Sequence, residues 1–187
     1  MQKFAAAVLI CLMYSGAHAD KASMPRTSNS IEIDGVLDDA AWQHAAKIEL
    51  EYETHPGENI PALVETTAYV IEDGARLYIA FDARDPDPSK IRAYLQDRDS
   101  AWNDDFVGVV LDTYNDERRA FEFFSNPLGV QMDLTNDDVN QIEDSSWDAI
   151  WDSAGSITEQ GFIVEMEIPL SQLRFPRKQG KQTWGID

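Results

Sequence analysis

Residues 161–169 have the sequence Gly161-Phe162-Ile163-Val164-Glu165-Met166-Glu167-Ile168-Pro169. Apolar side chains occupy every second position from Phe162 to Ile168, and the positions between them include two glutamates. Successive side chains of a strand point to opposite faces of a sheet. The alternation therefore predicts a strand with one face in the core and with Glu165 and Glu167 on an outer polar face, as is typical of antiparallel sheets.

The rest of the chain shows similar short segments, separated by turns rich in Gly, Pro and Asp. Helical periodicity does not extend beyond about two turns after the first 30 residues. The predicted strands include 31–35, the hairpin 64–71 with 77–81, 106–112, 120–124, 130–134 and 147–151. The apolar run 106–112 predicts a strand that is buried on both faces. Together these segments indicate an all-β fold, an antiparallel β-sandwich or jelly roll.

The composition is that of one globular domain with a strong negative charge. The chain has 187 residues, with 34 acidic against 15 basic side chains, a net charge of -19 and 43% hydrophobic residues. This hydrophobic fraction supports a packed core and argues against a disordered acidic tail. Phosphate binding needs clustered Lys and Arg, so the charge excludes nucleic acid as a partner.

The first 19 residues have the three parts of a secretory signal peptide. Lys3 is followed by a short apolar run and then by Ala17-His18-Ala19, a small-residue cleavage site. We therefore expect export to the periplasm, the outer membrane or the outside of the cell, a flexible lead-in over 20–30 and a sandwich domain over 31–187. Because the chain stops within a strand-like pattern, we expect this domain to be truncated at its C-terminal end.

A loop with an unusual side-chain content precedes the predicted strand at 106–112. It carries Arg98, Trp102, Asn103, Asp104 and Asp105. An indole ring can pack on the apolar C–H face of a pyranose sugar, and carboxylates, amides and a guanidinium can bind the hydroxyls. These five residues are the candidate ligand-binding site. The alternative is that Trp102 closes the end of the sandwich while Asp104 makes a structural hydrogen bond.

Acidic turns also suggest calcium, which takes about six to eight oxygen ligands. The candidate ligands are Asp85, Asp99 and Asp112, one from each of three acidic loops. None of these loops has the spacing of a defined calcium motif, and solvated turns are the ordinary alternative.

Two carboxylate pairs are candidates for glycoside hydrolysis, Asp104 with Asp105 and Glu165 with Glu167. The two catalytic carboxylates must flank the scissile bond, about 5–10 Å apart. Sequence neighbours in a strand point to opposite faces, and the two glutamates are predicted to lie on an outer face. We therefore expect no catalysis within this chain.

Several motifs resemble family 9 carbohydrate-binding modules. The segment 33–42 resembles that family's opening motif, IDG-x-LDE-x-x-W. Residues 77–81 with Asp85, and Arg98-Asp99 with Trp102-x-Asp104-Asp105, resemble its middle, and 161–169 resembles its late strand G-[WF]-x-x-E-x-x-IP. The resemblance covers 31–187. It implies a β-sandwich that binds a glycan or oligosaccharide, often with structural calcium, with the Trp102 ring stacked on the sugar and with a second tryptophan whose segment either lies beyond residue 187 or is missing.

A second set of motifs resembles a bacterial subgroup in which the module precedes a large C-terminal domain linked to the outer membrane. The motifs are Phe121-x-Phe123, Asn126-Pro127-x-Gly129-Val130-Gln131-x-Asp133, Trp147-Asp148-x-x-Trp151, Leu173-Arg174-Phe175 and Gln182-x-Trp184-Gly185. The resemblance implies a non-catalytic carbohydrate-binding module of an exported protein, in a polysaccharide-degrading system. Any hydrolase activity on O-glycosyl compounds would then lie in the full-length protein.

Two alternatives to sugar binding stay open. The module could pack against its own C-terminal domain without binding free sugar. Some sandwich relatives bind haem through Met and His, for which Met132, Met166, His44 and His55 are available. Met166 lies on the inward alternation of its strand, so core packing is the better account of that residue.

Overall fold

The computed structural model describes residues 23–53, 60–176 and 180–187. These residues form twelve strands, numbered along the chain, and three short 3₁₀ helices. The strands are β1 Ala46–Glu49, β2 Tyr52–Glu53, β3 Ile60–Pro61, β4 Thr66–Glu72, β5 Arg76–Arg84, β6 Val107–Asp112, β7 Arg119–Ser125, β8 Gln131–Asp137, β9 Ile142–Asp144, β10 Asp152–Thr158, β11 Gly161–Pro169 and β12 Gly185–Ile186. The helices are Ala40–His44, Pro88–Lys90 and Leu170–Gln172. Across these ranges, no helix has the length and apolar character that a bilayer crossing requires.

Two five-stranded antiparallel sheets contain most of the strands. The first has the order β1-β4-β5-β11-β10, and the second has the order β12-β6-β7-β8-β9. The strands β2 and β3 form a small separate pair. The predicted hairpin is present as β4 paired with β5, from Thr66 opposite Ala83 to Glu72 opposite Leu77. The prediction of an all-β antiparallel sandwich is confirmed.

The main core contains the inward side chains of both sheets. Phe162, Val164, Met166 and Ile168 of β11 are all buried there, as their alternation predicts. The second sheet contributes the buried residues Val109, Leu111 and Phe123. Full burial of one such side chain is worth about 1.5–3 kcal/mol, so this interface is the main source of stability for the two-sheet arrangement.

The prediction that β6 is buried on both faces is wrong. Val107, Val109 and Leu111 face the main core, whereas Gly108 and Val110 on the other face are half-buried and Phe106, just before the strand, is 41% exposed. The second sheet has only one face on the main core, and loops cover its other face in part. The apolar residues on that second face therefore belong to a surface and not to the core.

Two predicted strands are irregular segments, because side chains bind backbone groups that a strand would pair with another strand. In 147–151, the Ala149 N–H donates to Asp133 Oδ2 at 2.7 Å and the Ala149 carbonyl accepts from Arg98 Nη2 at 2.9 Å. In 31–35, the N–H groups of Asp34 and Gly35 donate to Glu165 Oε2 at 3.1 and 2.8 Å. Neither segment forms a ladder, although Trp151 is buried in the main core.

The position predicted for Glu165 is also wrong. This side chain is fully buried under the N-terminal segment, where its Oε1 accepts a hydrogen bond from Trp42 Nε1 at 2.8 Å. Trp42 packs there with Ile31, Ile71 and Tyr78 in a second core. Burial raises the pKa of the Glu165 carboxyl above its usual value, although three donors face it. Glu165 thus joins the N-terminal segment to β11.

The predicted lead-in, residues 20–30, is described from residue 23 onward. Within the lead-in, the Pro25 carbonyl accepts from the Glu72 N–H at 3.1 Å, and the Thr27 N–H donates to the Glu72 carbonyl at 2.8 Å. These residues therefore run beside the end of β4. The predicted signal peptide lies outside the described residues.

Candidate functional site

The indole of Trp102 is partly open to solvent. The residue is 39% exposed and lies in a tight turn, in which the Asp104 N–H donates to the Ala101 carbonyl at 3.0 Å. Its centroid lies 5.9 Å from that of Phe106 and 5.5 Å from that of Phe124, with interplanar angles of 83° and 67°. The Trp102 indole is therefore supported by aromatic edges and is not enclosed by aliphatic neighbours.

The supporting rings lie on the outer face of the second sheet. Phe106 and Phe124 are themselves edge-on, with centroids 5.6 Å apart. Phe124 is opposite Gly108 in the β6–β7 register, and a Cβ at Gly108 would lie 2.1 Å from Phe124 Cδ1. Glycine at this position therefore leaves the space in which the Phe124 ring lies.

Asp104 fixes the loops around Trp102. Its Oδ2 accepts hydrogen bonds from the Tyr94 N–H at 2.9 Å, Gln96 Nε2 at 2.9 Å and Asn126 Nδ2 at 2.8 Å. Burial raises the pKa of this carboxyl, but the hydrogen bonds outweigh burial and leave the pKa below its usual value. One oxygen of this predicted ligand is thus committed to protein donors, in agreement with the structural role that was the alternative.

Asn103 and Asp105 flank Asp104 and differ in their surroundings. Asn103 is exposed beside Trp102. Asp105 pairs with the chain at Arg92: its N–H donates to the Arg92 carbonyl at 2.8 Å, and its Oδ2 accepts from the Arg92 N–H at 2.9 Å. Asn103 is therefore well placed for a ligand, whereas Asp105 mainly holds the loop.

The guanidinium of Arg98 lies against β8 and binds protein acceptors. It donates to Gln131 Oε1 at 2.8 Å, to Asp133 Oδ1 and to the Ala149 carbonyl at 2.9 Å. Asp133 is fully buried, and burial raises its pKa even though Arg98 and the Ala149 N–H stabilise the carboxylate. Arg98 was predicted as a sugar ligand, and the structure gives it a structural role.

The three candidate calcium ligands are not brought together. The Asp85 Oδ1 accepts from the Asp87 N–H at 2.6 Å. The Asp112 carboxylate accepts four backbone N–H groups of the next turn, from Tyr114, Asn115, Asp116 and Glu117, at 2.7–3.0 Å. Asp112 therefore caps a turn, and Asp99 alone of the three lies in an acidic cluster.

That cluster contains Asp99, Asp133 and Asp148, whose nearest oxygens lie within 4.8 Å of one another. Arg98 lies among them: its Nε is 3.7 Å from Asp99 Oδ2 and 3.4 Å from Asp148 Oδ1. A divalent cation at the same place would lie next to the guanidinium and be repelled by it. The donor set therefore fits Arg98 as its counter-ion and does not fit a metal ion while Arg98 stays there.

Four residues around the Trp102 loop were not predicted as part of the site: Tyr94, Gln96, Phe106 and Asp133. The linear sequence does not show that Tyr94 and Gln96 bind Asp104 or that the Phe106 ring packs edge-on against Trp102. Asp133 did carry a signal, because a carboxylate within the apolar segment 130–134 is rarely buried unless it is paired. For the haem alternative, His44 is exposed, Met132 and Met166 lie in separate cores, and His55 is outside the described residues.

Residues 33–187 match the model of the family described as carbohydrate family 9 binding domain-like. Comparison with curated protein sequences finds no match. A candidate carbohydrate-binding protein from Bacteroides uniformis has a TM-score of 0.57 and 14% identity, over 75% of this chain and 68% of that chain.

Two structures of a family 9 carbohydrate-binding module from Caldicellulosiruptor kristjanssonii also match. The complex with glucose has a TM-score of 0.56 and 16% identity, over 88% of this chain and 75% of that chain. The complex with cellotriose has a TM-score of 0.54 and 17% identity, over 88% and 74%. At these identities the likeness shows the fold alone. The family match covers most of the chain and confirms the resemblance seen in its motifs: the chain belongs to the carbohydrate family 9 binding domain-like family.

Proposed function

We propose that this chain is a non-catalytic carbohydrate-binding module of an exported protein that acts in a polysaccharide-degrading system. The observation that carries the proposal is the partly exposed Trp102 indole, held in place by two aromatic edges. Family membership supports it, and so do the related modules whose structures contain glucose and cellotriose.

The chemistry of the loop suits a neutral sugar. Trp102 supplies a flat apolar surface for the C–H face of a pyranose, and the exposed Asn103 supplies an amide for its hydroxyls. Contact with Phe106 and Phe124 limits the motion of the indole, so little side-chain entropy is lost on binding. By analogy with aromatic pairs, we assign the stacking about 0.5–1.5 kcal/mol beyond the burial of area.

The carboxylates of the two candidate pairs make structural contacts. Glu165 is fully buried and accepts three structural hydrogen bonds. Glu167 forms an ion pair with Arg76 Nε at 2.8 Å. Asp104 is buried and accepts three hydrogen bonds, and Asp105 binds the Arg92 backbone. These contacts support the non-catalytic part of the proposal.

Calorimetric titration of the protein with glucose and with gluco-, xylo- and manno-oligosaccharides tests the proposal. We expect saturable binding to one of these series and loss of most of it in Trp102→Ala, about tenfold or more, because the stacking surface is removed. Trp184→Ala is the matched control. Trp184 is half-buried against Phe175, just before β12, which pairs with the end of β6 remote from Trp102.

Equal loss of binding in the two variants would contradict a site at Trp102. No heat with any of these sugars would favour the alternative, a structural module that packs against its own C-terminal domain. The carbohydrate-binding proposal also includes export of the protein and an association of the full-length protein with the outer membrane through its C-terminal domain. The signal-like first 19 residues support export, and the subgroup motifs support the C-terminal domain. Structural calcium stays a prediction.

A further inference from the structure

The side chain of Asn126 is fully buried beside the Trp102 loop and makes four hydrogen bonds. Its Oδ1 accepts two backbone N–H groups of the turn 126–130, at 3.0 and 2.9 Å. Its Nδ2 donates to Asp104 Oδ2 at 2.8 Å and to the Tyr94 carbonyl at 3.0 Å. One amide therefore joins the turn between β7 and β8 to the Trp102 loop and to the segment that precedes it.

The turn 126–130 lies against β10 of the other sheet. A Cβ at Gly155 would lie 2.6 Å from the Pro127 carbonyl oxygen, so the two backbones are in close contact. The Ser153 hydroxyl of the same strand donates to a carbonyl of the turn at 2.9 Å. The position of Asn126 is therefore set by the packing of the two sheets.

The end of β7 contacts the Trp102 loop at two points. The Phe124 ring packs edge-on against the Trp102 ring, with centroids 5.5 Å apart, and Asn126 follows two residues later with its bond to the Asp104 side chain. Trp102 and Asp104 belong to one turn, since the Asp104 N–H donates to the Ala101 carbonyl at 3.0 Å. A displacement of Asp104 therefore changes the position of the indole relative to Phe124.

We propose that Asn126 is a positioning residue for the sugar site: it holds Asp104, and through Asp104 it fixes the Trp102 indole before a sugar binds. This inference rests on the proposed function. Asn126 is fully buried, so it contacts no ligand itself. A fixed binding group loses less entropy on binding than a mobile one does. A weaker hold on Asp104 therefore lowers the affinity, although every group that faces the sugar is retained.

The contacts of Asn126 require an amide at this position. Its carbonyl oxygen faces two N–H donors, and its NH₂ group faces two acceptors, Asp104 Oδ2 and the Tyr94 carbonyl oxygen. A carboxylate here would satisfy the two donors, but one of its oxygens would lie 2.8 Å from Asp104 Oδ2. Two carboxylates at this distance cannot both be ionised without strong repulsion, so the pKa of one of them rises. Once that group is protonated, it can donate to the other as the amide does.

Asn126→Asp therefore makes the hold on Asp104 dependent on pH, which calorimetric titration with glucose and with the gluco-, xylo- and manno-oligosaccharides can measure. We expect its affinity to be about tenfold lower than that of the unaltered protein at about pH 9 and to recover to within about threefold at about pH 5. Asn126→Ala should lose affinity at both pH values, because it removes the hydrogen bonds without adding a charge. The unaltered protein should change less than about twofold, since Arg92, the charged group that acts on Asp104, keeps its charge over this range.

Asn136→Asp is the matched control. Asn136 Nδ2 donates to the Glu122 carboxylate at 3.1 Å on the same sheet, and in the described part of the chain neither side chain is hydrogen-bonded to the Trp102 loop. Its sugar affinity should stay within about twofold of that of the unaltered protein at both pH values. A second readout needs no sugar: in protein labelled with 5-fluorotryptophan, the fluorine signal of Trp102 is the one that Trp102→Ala removes. This signal should shift in Asn126→Asp at about pH 9, return at about pH 5 and stay in place in Asn136→Asp.

A folded Asn126→Ala variant with unchanged affinity and an unmoved Trp102 signal would overturn the inference and leave the proposed function standing, even if its thermal midpoint is lower. So would an Asn126→Asp variant whose affinity is the same at both pH values, because the contact with Asp104 would then not be the cause. If the unaltered protein binds none of the sugars, the proposed function fails, and the fluorine signal alone decides whether Asn126 positions Trp102. Thermal midpoints above the temperature of the titrations show that the variants compared are folded.

Discussion

At the scale of single residues, Glu165 shows how one side chain can determine where a segment lies. All three of its partners are donors: Trp42 Nε1, the Gly35 N–H and the Asp34 N–H. A carboxylate has acceptors on both oxygens and satisfies all three, whereas a buried amide always presents one NH₂ group. The glutamate is therefore required by hydrogen-bond chemistry, although burial disfavours its charge.

We predict that Glu165→Gln lowers the free energy of unfolding by about 1–3 kcal/mol, because the new NH₂ group faces a donor and leaves a buried group unsatisfied. Urea unfolding at neutral pH measures the change. Glu167→Gln is the matched control two residues along β11. Its ion pair with Arg76 is partly exposed, so its loss should cost at most about 1 kcal/mol. A larger loss in Glu167→Gln than in Glu165→Gln would contradict the assignment.

The pH dependence of Glu165 has a defined sign. Its folded pKa is raised by burial, so the folded state binds the proton more tightly than the unfolded state does. The contribution of this group to stability is therefore fully present below its unfolded pKa and declines as the pH rises through the raised folded pKa. The Gln variant removes this decline, and its stability between about pH 4.5 and neutrality should fall less steeply than that of the unaltered protein.

At the scale of elements, Arg98 holds three parts of the chain together. Its guanidinium binds Gln131 and Asp133 of β8 and the Ala149 carbonyl in 147–151. Its own loop is tied to the same strand, since the Asp99 N–H donates to the Gln131 carbonyl at 3.0 Å and Asp99 Oδ1 accepts from the Asp133 N–H at 3.1 Å. The loop that carries Trp102 therefore depends on an ion pair beneath it.

We predict that Arg98→Met destabilises the protein by about 3–5 kcal/mol, because Asp133 remains buried without its cation. The double variant Arg98→Met with Asp133→Asn should be more stable than Arg98→Met alone, since the uncompensated charge is removed. Urea unfolding of the two variants measures both effects. If the double variant is the less stable of the two, the charge of Asp133 is not the cause.

Calcium provides a second measurement on the Arg98→Met variant. Loss of the guanidinium leaves Asp99, Asp133 and Asp148 with no counter-ion, and oxygen ligands of this kind suit calcium. Added calcium should therefore raise the thermal midpoint of Arg98→Met more than that of the unaltered protein, and chelator should reverse the difference. Calcium held elsewhere in the chain would shift both proteins equally, so equal shifts would contradict this prediction.

At the scale of the whole molecule, the parts predicted correctly are those that depend on local patterns. The alternation in β11 and the turn between β4 and β5 specify strands whose partners are other strands. The segments 31–35 and 147–151 have equally strand-like sequences, but their backbone groups bind Glu165, Asp133 and Arg98. Sequence distances of 130, 16 and 51 residues separate the partners, and no local pattern contains that information.

The same distinction holds for the site. The Trp102 loop was predicted because a tryptophan among charged and amide residues, just before an apolar run, can be seen in the sequence itself. Its support was not, because Phe124 lies on a different strand and Asn126 is joined to the loop through Asp104 across 22 residues of sequence. The exposed side chains of the loop were therefore accessible to sequence analysis, whereas the residues that support the loop are known only from the structure.

The net charge of -19 is spread over the whole chain. Folding brings like charges closer together, so their mutual repulsion destabilises the compact state. Salt shortens the Debye length from about 30 Å at 0.01 M to about 8 Å at 0.15 M, which screens this repulsion. We therefore expect the thermal midpoint to rise with NaCl over this range, while the affinity for a neutral oligosaccharide stays constant.

Replacing Asp138 and Glu143 by lysine supplies the control for this experiment. Both side chains are exposed, near and within β9, away from the hydrogen bonds of the Trp102 loop. With two charges reversed, the repulsion is weaker and the rise of the midpoint with NaCl should be smaller than in the unaltered protein. An equal rise in both proteins would attribute the effect to the ion itself and not to screening. A sugar affinity that falls as NaCl is added would mean that charged groups bind the ligand, which the proposal of a neutral saccharide on an aromatic surface does not allow.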